Sequence, residues 1–253
     1  MRRLVSRALA LAYAAGSAAY SVPAVMGATS QRARRKVIHL VRHGQANSDA
    51  RDESSYDQLS VLGHQQARWL GAHFTAANVD FDQIYCGTLR RHIETARGIV
   101  PNLKSELIQD PRLNELEYFT LAQMLYQQQG IAVPTDRDGF CQHLPMLFAA
   151  WANNDIANPP ESYHSFESRV GAALNDIAAA ECPALVVTSG GVIGMMMRLT
   201  MGLDLTHMTR ACLSIMNTSV HLWQTLGPAL TLTQFNAVPH LDHPDRADAK
   251  TYL

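Results

Sequence analysis

The segment Val37-Ile38-His39-Leu40-Val41-Arg42-His43-Gly44-Gln45 is an apolar run that ends abruptly in arginine, histidine and glycine. A run of this length and composition predicts a buried β-strand over Val37–Val41. At its end a guanidinium, an imidazole and a bare stretch of backbone emerge together. Arginine offers a planar fork that matches phosphate oxygens. A neutral imidazole can attack phosphorus, and glycine lets backbone approach a ligand closely. On these three residues alone, a strand end with an incidental charge pair explains the segment about as well. The rest of the chain decides between the two.

Working outward, apolar runs alternate with helix-like segments. Gly63–Ala77 has helical spacing, with Ala67, Leu70, Gly71 and Phe74 on one face. Gln83–Cys86 reads as a short strand, followed by a helix through Thr95, Ala96 and Ile99 that Pro101 stops. Ala184–Thr188 is a second strong strand, followed by a glycine pair and an apolar helix over Val192–Met201. Thr218–Thr225 and Ala229–Phe235 read as late strands joined by a turn at Gly227-Pro228. The alternation predicts an α/β fold with helices on both faces of the sheet. In such sheets ligands bind at the carboxyl ends of strands, where both glycine-bearing strand ends fall. Residues 120–158, rich in Gln, aromatics and Pro, break the pattern. They read as a helical insertion that either covers a site or packs on the core.

Three further clusters carry candidate chemistry. Arg90-Arg91-His92 opens a helix after a strand, and a helix N-terminus with an arginine in its first turn attracts anions. The commoner fate of such an arginine pair is a solvated helix face. Leu113-Asn114-Glu115 places a carboxylate that can serve as general acid, though an isolated Glu is more often a surface residue. Thr188-Ser189-Gly190-Gly191 is a strand-to-helix turn able to present amides to an anion.

Together these clusters resemble the histidine phosphatase superfamily, branch 1, with its phosphoglycerate-mutase-like fold. The resemblance runs from about Lys36 to Leu241. Arg42-His43-Gly44 is similar to the family signature, and Leu59-Ser60 with Gly63, Gln65 and Ala67 to the segment that follows it. Leu89-x-Arg91-x-x-x-Thr95-Ala96 resembles the motif that carries a phosphate-binding arginine. That assigns the role to Arg91 rather than Arg90. Leu113-Asn114-Glu115 resembles the acid motif. Glu161-Ser162 with Arg169-Val170, and Asn236 with His240-Leu241, resemble the later segments.

The resemblance implies a three-layer sandwich on a mostly parallel sheet. It also implies phosphomonoester hydrolysis through a phosphohistidine on His43, with Glu115 as proton donor. The phosphate site would comprise Arg42, Arg91, Ser189, Gly190, Gln45 and Asn47. No metal or cofactor is implied, and the expected ligand is a phosphorylated small molecule or a phosphoprotein. One departure stands out. The family usually carries Ser-His-Gly-Gly at the second strand end, whereas here Ser189 occupies the histidine position. A hydroxyl brings one hydrogen bond but no imidazolium charge. A catalytically weak or inactive phosphate-binding protein of the same fold is therefore the alternative reading. His64, His92, His164 and His207 are substitutes by residue type only, and each reads more readily as a surface or structural histidine. Phosphoglycerate mutase activity is the less favoured reading, because residues 120–158 hold Arg137 as their one basic residue.

Composition bounds the remainder. Residues 1–48 hold eight of the 21 basic residues and no Asp or Glu, leaving 13 basic against 22 acidic and a net charge of −9. Such an acidic body argues against nucleic acid as a partner. Arg2, Arg3 and Arg7 precede an uncharged, alanine-rich stretch to Ser30. Residues 1–35 therefore read as a targeting leader, secretory or organellar, attached to a single domain over 36–253. A functional leader would make the protein exported or organellar, and otherwise it is expected in the cytoplasm. Gly16, Ser17, Ser21 and Pro23 make a stable membrane span a poor reading of that stretch. Cys86, Cys141, Cys182 and Cys212 show no paired spacing, so neither a zinc site nor a disulfide framework is implied.

Overall fold

Two faces of one sheet organise the protein. The computed structural model describes residues 36–252 apart from Ser48 and 102–105; the leader expected over 1–35 lies outside the described residues. Six strands, β1 (Val37–Arg42), β2 (Gln83–Cys86), β3 (Leu107–Gln109), β4 (Ala184–Thr188), β5 (Val220–Leu226) and β6 (Ala229–Ala237), are arranged in the order β3-β2-β4-β1-β5-β6. The pairs β2–β3, β2–β4 and β1–β4 are parallel, while β1–β5 and β5–β6 are antiparallel. The mostly parallel sheet is therefore observed, with an antiparallel hairpin on one edge.

Every residue of β4 is buried. Its Ala184 and Val186 face one core with Ile38 and Leu40. Its Leu185 and Val187 face another with Val41 and Ile84. Burial on both faces explains the unbroken apolar run in its sequence. The helices α2 (Val61–Ala76) and α3 (Arg90–Ile99) cover the second face through Ala67, Leu70, Phe74, Ala96 and Ile99. The helices α4 (Tyr118–Gln129), α5 (Arg137–Ala152), α6 (Tyr163–Ala179), α7 (Gly190–Met201) and α8 (Leu205–Ser214) contribute to the first, larger core. The short α1 (Glu53–Tyr56) precedes α2 in the loop that leaves β1.

The predicted strands and helices are all present, with boundary shifts. The helix predicted from Gly63 begins at Val61, because Ser60 accepts from the Gly63 N–H and caps it. The helix predicted from Val192 begins at Gly190. β3 was not anticipated: three residues with one apolar stripe at a sheet edge carry little periodicity. The 120–158 segment forms α4 and α5, which pack into the core through Leu121, Leu125, Leu147 and Trp151.

Candidate active site

The parallel strands end together. Arg42 at the end of β1 pairs in register with Thr188 at the end of β4, and Cys86 at the end of β2 pairs with Val187. The residues that follow, His43, Gly87 and Ser189, therefore emerge on one edge of the sheet. A cavity of about 450 Å³ opens there. Arg42, His43, Arg91, Glu115, Ser189 and Gly190 all line it, together with Asn47. Gln45 lies outside this lining. Its backbone N–H donates to Gln66 and its side-chain carbonyl accepts from the Ser60 hydroxyl at 2.8 Å. The loop after Gly44 has by then turned toward α2.

That turn depends on two glycines in mutual contact. A Cβ on Gly44 would sit 2.5 Å from the Gly63 carbonyl oxygen, and one on Gly63 would sit 2.1 Å from that of Gln45. Backbone presses on backbone here, so neither position has room for a side chain. The Gly44 N–H donates to the Thr95 hydroxyl at 3.0 Å, and that hydroxyl donates to the Arg91 carbonyl at 2.7 Å. The loop after β1 is thus tied to α3.

His43 is buried, and its Nδ1 lies 2.7 Å from the Gly44 carbonyl oxygen. A carbonyl only accepts, so Nδ1 carries the proton and Nε2 presents its lone pair. Burial, followed by the charges of Arg91 and Arg42, holds the imidazole well below the ordinary histidine pKa. The ring is therefore neutral and nucleophilic at neutral pH.

The two arginines are fixed from behind. Arg42 Nη1 donates to the carbonyl oxygens of Ile215 and, at 2.8 Å, Tyr252. Arg91 Nη1 donates to Asp57 at 3.0 Å, and its guanidinium lies 5.0 Å from the centroid of the Tyr56 ring. Asp57 also accepts the backbone N–H groups of Arg90 and Arg91, supplying the cap that Leu89 cannot. The buried Nε of each arginine has no hydrogen-bond acceptor among the described residues. Both guanidiniums line the cavity beside His43. Arg90, by contrast, is 64% exposed and pairs with Glu94.

Glu115 reaches the cavity from the loop after the turn Pro111–Leu113. It accepts from the N–H of Gly191 at 2.8 Å and of Leu116 at 3.1 Å. Its loop is held by Arg169, which donates to the carbonyls of Arg112 and Asn114 at 2.8 Å each and pairs with Glu161. Thr188 adds a 2.6 Å bond to the Leu113 carbonyl. Asn236 and His240 act at a distance from the cavity. Asn236 ties Met216 and Ser214, and His240 bonds the Thr218 hydroxyl.

For His92 the structure selects the structural alternative and gives it a place beside the cavity. Of the four histidines named from the sequence, His164 and His207 are exposed and His64 is half-buried. His92 is instead fully buried, 2.7 Å from the Ser189 hydroxyl and 5.8 Å ring-to-ring from His43. A signal was available. Position 92 precedes Ala96 by four and Ile99 by seven, so helical spacing puts it on the buried face.

A mostly parallel α/β sheet with a histidine and two arginines at its carboxyl edge defines an α/β protein with a cationic, histidine-bearing pocket. A family model of the histidine phosphatase superfamily (branch 1) matches residues 38–237, and the chain belongs to that superfamily. It is 28% identical over 217 residues to a protein of Hydrogenobacter thermophilus named "Putative phosphoserine phosphatase 2", covering 81% of this chain and 97% of that one. Its fold is similar to the crystal structure of phosphoserine phosphatase from Entamoeba histolytica in complex with 3-phosphoglyceric acid. There the TM-score is 0.61 at 18% identity, over 81% of this chain and 98% of that one. It is also similar to a phosphoglycerate mutase from Bacillus anthracis, with a TM-score of 0.58 at 19% identity, over 81% and 94%. Proteins of this group are thus named as phosphatases or as mutases.

Proposed function

We propose that this protein is a phosphomonoester hydrolase that works through a phosphohistidine on His43. The observation that carries the reading is a neutral His43 with Nε2 free, flanked by two buried guanidiniums that each keep an unpaired Nε–H. Arg42 and Arg91 bind the phosphate oxygens. Nε2 attacks phosphorus in line, forming a P–N bond as the ester P–O bond breaks. Glu115 gives its proton to the departing alkoxide oxygen. Water then attacks the phosphohistidine, Glu115 takes its proton, and His43 and inorganic phosphate are released.

Hydrolysis is favoured over mutase chemistry by the wall beyond the arginines. Phe119, Val133, Pro134, Phe140, Leu144 and Phe148 line it. The remaining cation there, Arg137, is stacked on Tyr252 at 4.3 Å from the ring centroid. That surface suits a phosphorylated small molecule with an apolar leaving group better than a small phosphorylated acid. The test is turnover on p-nitrophenyl phosphate, aliphatic phosphates, phosphoserine and 3-phosphoglycerate, with acid and alkaline quench of the labelled protein. Expected are release of phosphate, loss of turnover in His43→Ala, and an acid-labile, alkali-stable phosphoprotein. A His43→Ala protein with full turnover overturns the mechanism. Conversion of 3-phosphoglycerate to 2-phosphoglycerate in the presence of bisphosphoglycerate would make the protein a mutase.

A further inference from the structure

Ser189 is the N-cap residue of α7, yet its hydroxyl makes no capping bond. Serine at this position ordinarily accepts from a backbone N–H of the first turn. Here the hydroxyl turns away from the helix and meets His92 Nε2 at 2.7 Å. Ser189 is 1% exposed and His92 0%. Ser189 lines the cavity and His92 lies behind it. His92 Nδ1 has no hydrogen-bond partner among the described residues. Room for the ring comes from Gly87, where a Cβ would sit 2.2 Å from Nδ1. The strand-end backbone is therefore cut back to seat an imidazole against a serine, with that ring 5.8 Å from the ring of the proposed nucleophile His43.

We infer that Ser189 and His92 together replace the second histidine of the family. Ser189 is the group that touches the phosphoryl oxygens, and His92 is the residue that positions it. The proton count decides the arrangement. Serine has one hydroxyl proton. Spent on His92, it would leave only lone pairs facing the anionic phosphoryl oxygens. With the imidazole proton on Nε2, His92 donates to Ser189 Oγ, and the hydroxyl donates to an equatorial oxygen. No bond is made or broken, and both residues leave the cycle as they entered it. Burial and the nearby charge of Arg91 hold His92 neutral, so it works as an oriented donor rather than as a cation. Chains of such bonds strengthen one another in a low-dielectric site.

This inference rests on the reading of His43 as phosphoryl acceptor, so its test uses a binding readout beside the kinetic one. Orthovanadate affinity, kcat and KM are measured on the full chain for wild type, Ser189→Ala, His92→Ala, His92→Gln and the double alanine variant. Removal of one transition-state donor costs roughly 10²–10³ in rate, so Ser189→Ala is expected to lose that in kcat and to bind vanadate more weakly. His92→Ala follows in the same direction. The double variant is no worse than Ser189→Ala, because His92 acts through the hydroxyl. His92→Gln, whose amide can also donate to Oγ, recovers much of the loss. A role in stability alone would move melting temperature without this rescue or this coupling.

Ser189→His by itself is expected to impair, since a second ring enters the space of His92, and adding His92→Ala is expected to relieve it. Circular dichroism reports whether His92→Ala folds. If it does not, Ser189→Ala and His92→Gln carry the same comparison, and equal vanadate affinity in Ser189→Ala and wild type then overturns the inference. Vanadate affinity and kcat of His92→Ala equal to wild type, fully additive losses in the double variant, or an acid-stable phosphoserine at Ser189 also overturn it. Retention of turnover by His43→Ala is a different result, and it overturns the proposed function.

Discussion

Replacing Arg169 by alanine tests the placement of Glu115 without touching the proposed phosphate site. Arg169 spends Nη1 on the carbonyls of Arg112 and Asn114, at 2.8 Å each, and Nε and Nη2 on Glu161 at 2.7 and 2.9 Å. Asn114 immediately precedes Glu115. A hydrogen bond to a charged group contributes about 1.5–3 kcal/mol. The two carbonyls share one Nη1, so together they are worth about 2–4 kcal/mol, with up to about 1 kcal/mol more for the partly exposed Glu161 pair. That is less than a typical stability of about 5–15 kcal/mol, so the variant is expected to fold at 25 °C with a reduced denaturation midpoint. Catalysis should fall further than binding. A displacement of about 1 Å at a proton donor costs on the order of 10²-fold in kcat, whereas Arg42, His43 and Arg91 are held by other partners and KM should change little. The assay is kcat across phosphomonoesters of graded leaving-group basicity. The loss should be largest for alkyl phosphates, whose alkoxide needs the proton, and smallest for p-nitrophenyl phosphate. Arg169→Lys, which keeps a cation but loses the fork, should fall between. If Arg169→Ala hydrolyses alkyl phosphates within about threefold of wild type, the positioning argument fails, because a shift of that size at the donor cannot be so cheap.

Gly191→Ala would place a Cβ 2.4 Å from Glu115 Oε1 and 2.7 Å from Leu116 Cδ2. Both are side-chain ends that can swing aside, so kcat should fall roughly 10- to 100-fold while the thermal midpoint is nearly kept; unchanged kcat would refute the contact. Arg91→Ala should raise KM and lower kcat, whereas Arg90→Ala, losing an exposed pair with Glu94, should leave both near wild type; comparable losses would show the two arginines misassigned. His221 and His240 are pushed down to about 3 by burial. Their unfolded forms gain a proton near 6.5 that the native forms refuse, so stability is full above pH 6.5 and falls as pH drops toward 3. Each is expected to remove about 2 kcal/mol by pH 5, read by urea denaturation at pH 7, 6 and 5; a flat profile would refute it. For activity, the depressed His43 places the acid limb of kcat/KM below the ordinary histidine range, and a limb at or above pH 6.5 would contradict the neutral-nucleophile reading.

Much of this was legible in the sequence because it is local. Ala184–Thr188 is buried at every position, and Val37–Val41 buries Ile38, Leu40 and Val41, so both read as largely apolar runs. The Arg42-His43-Gly44 and Leu89-x-Arg91 spacings set their side chains at strand and helix ends. The three-residue β3 was not legible, since a short edge strand has too few positions to show a period. The family resemblance places Gln45 in the phosphate site, but the close Gly44–Gly63 approach turns the chain there and Gln45 lies outside the cavity lining, its side chain held by Ser60.

The sequence by itself determined the alternating α/β order, the strand ends that carry His43 and Ser189, and the departure at Ser189. Only the tertiary structure decided what stands beside Ser189. His92 and Ser189 are separated by 97 positions, and their meeting depends on β4 lying between β2 and β1 in the sheet. No local period encodes which strands become neighbours. Strand order is settled by how two cores close on opposite faces of the sheet, and that closure puts an imidazole behind a serine where a residue-by-residue reading finds only a missing histidine.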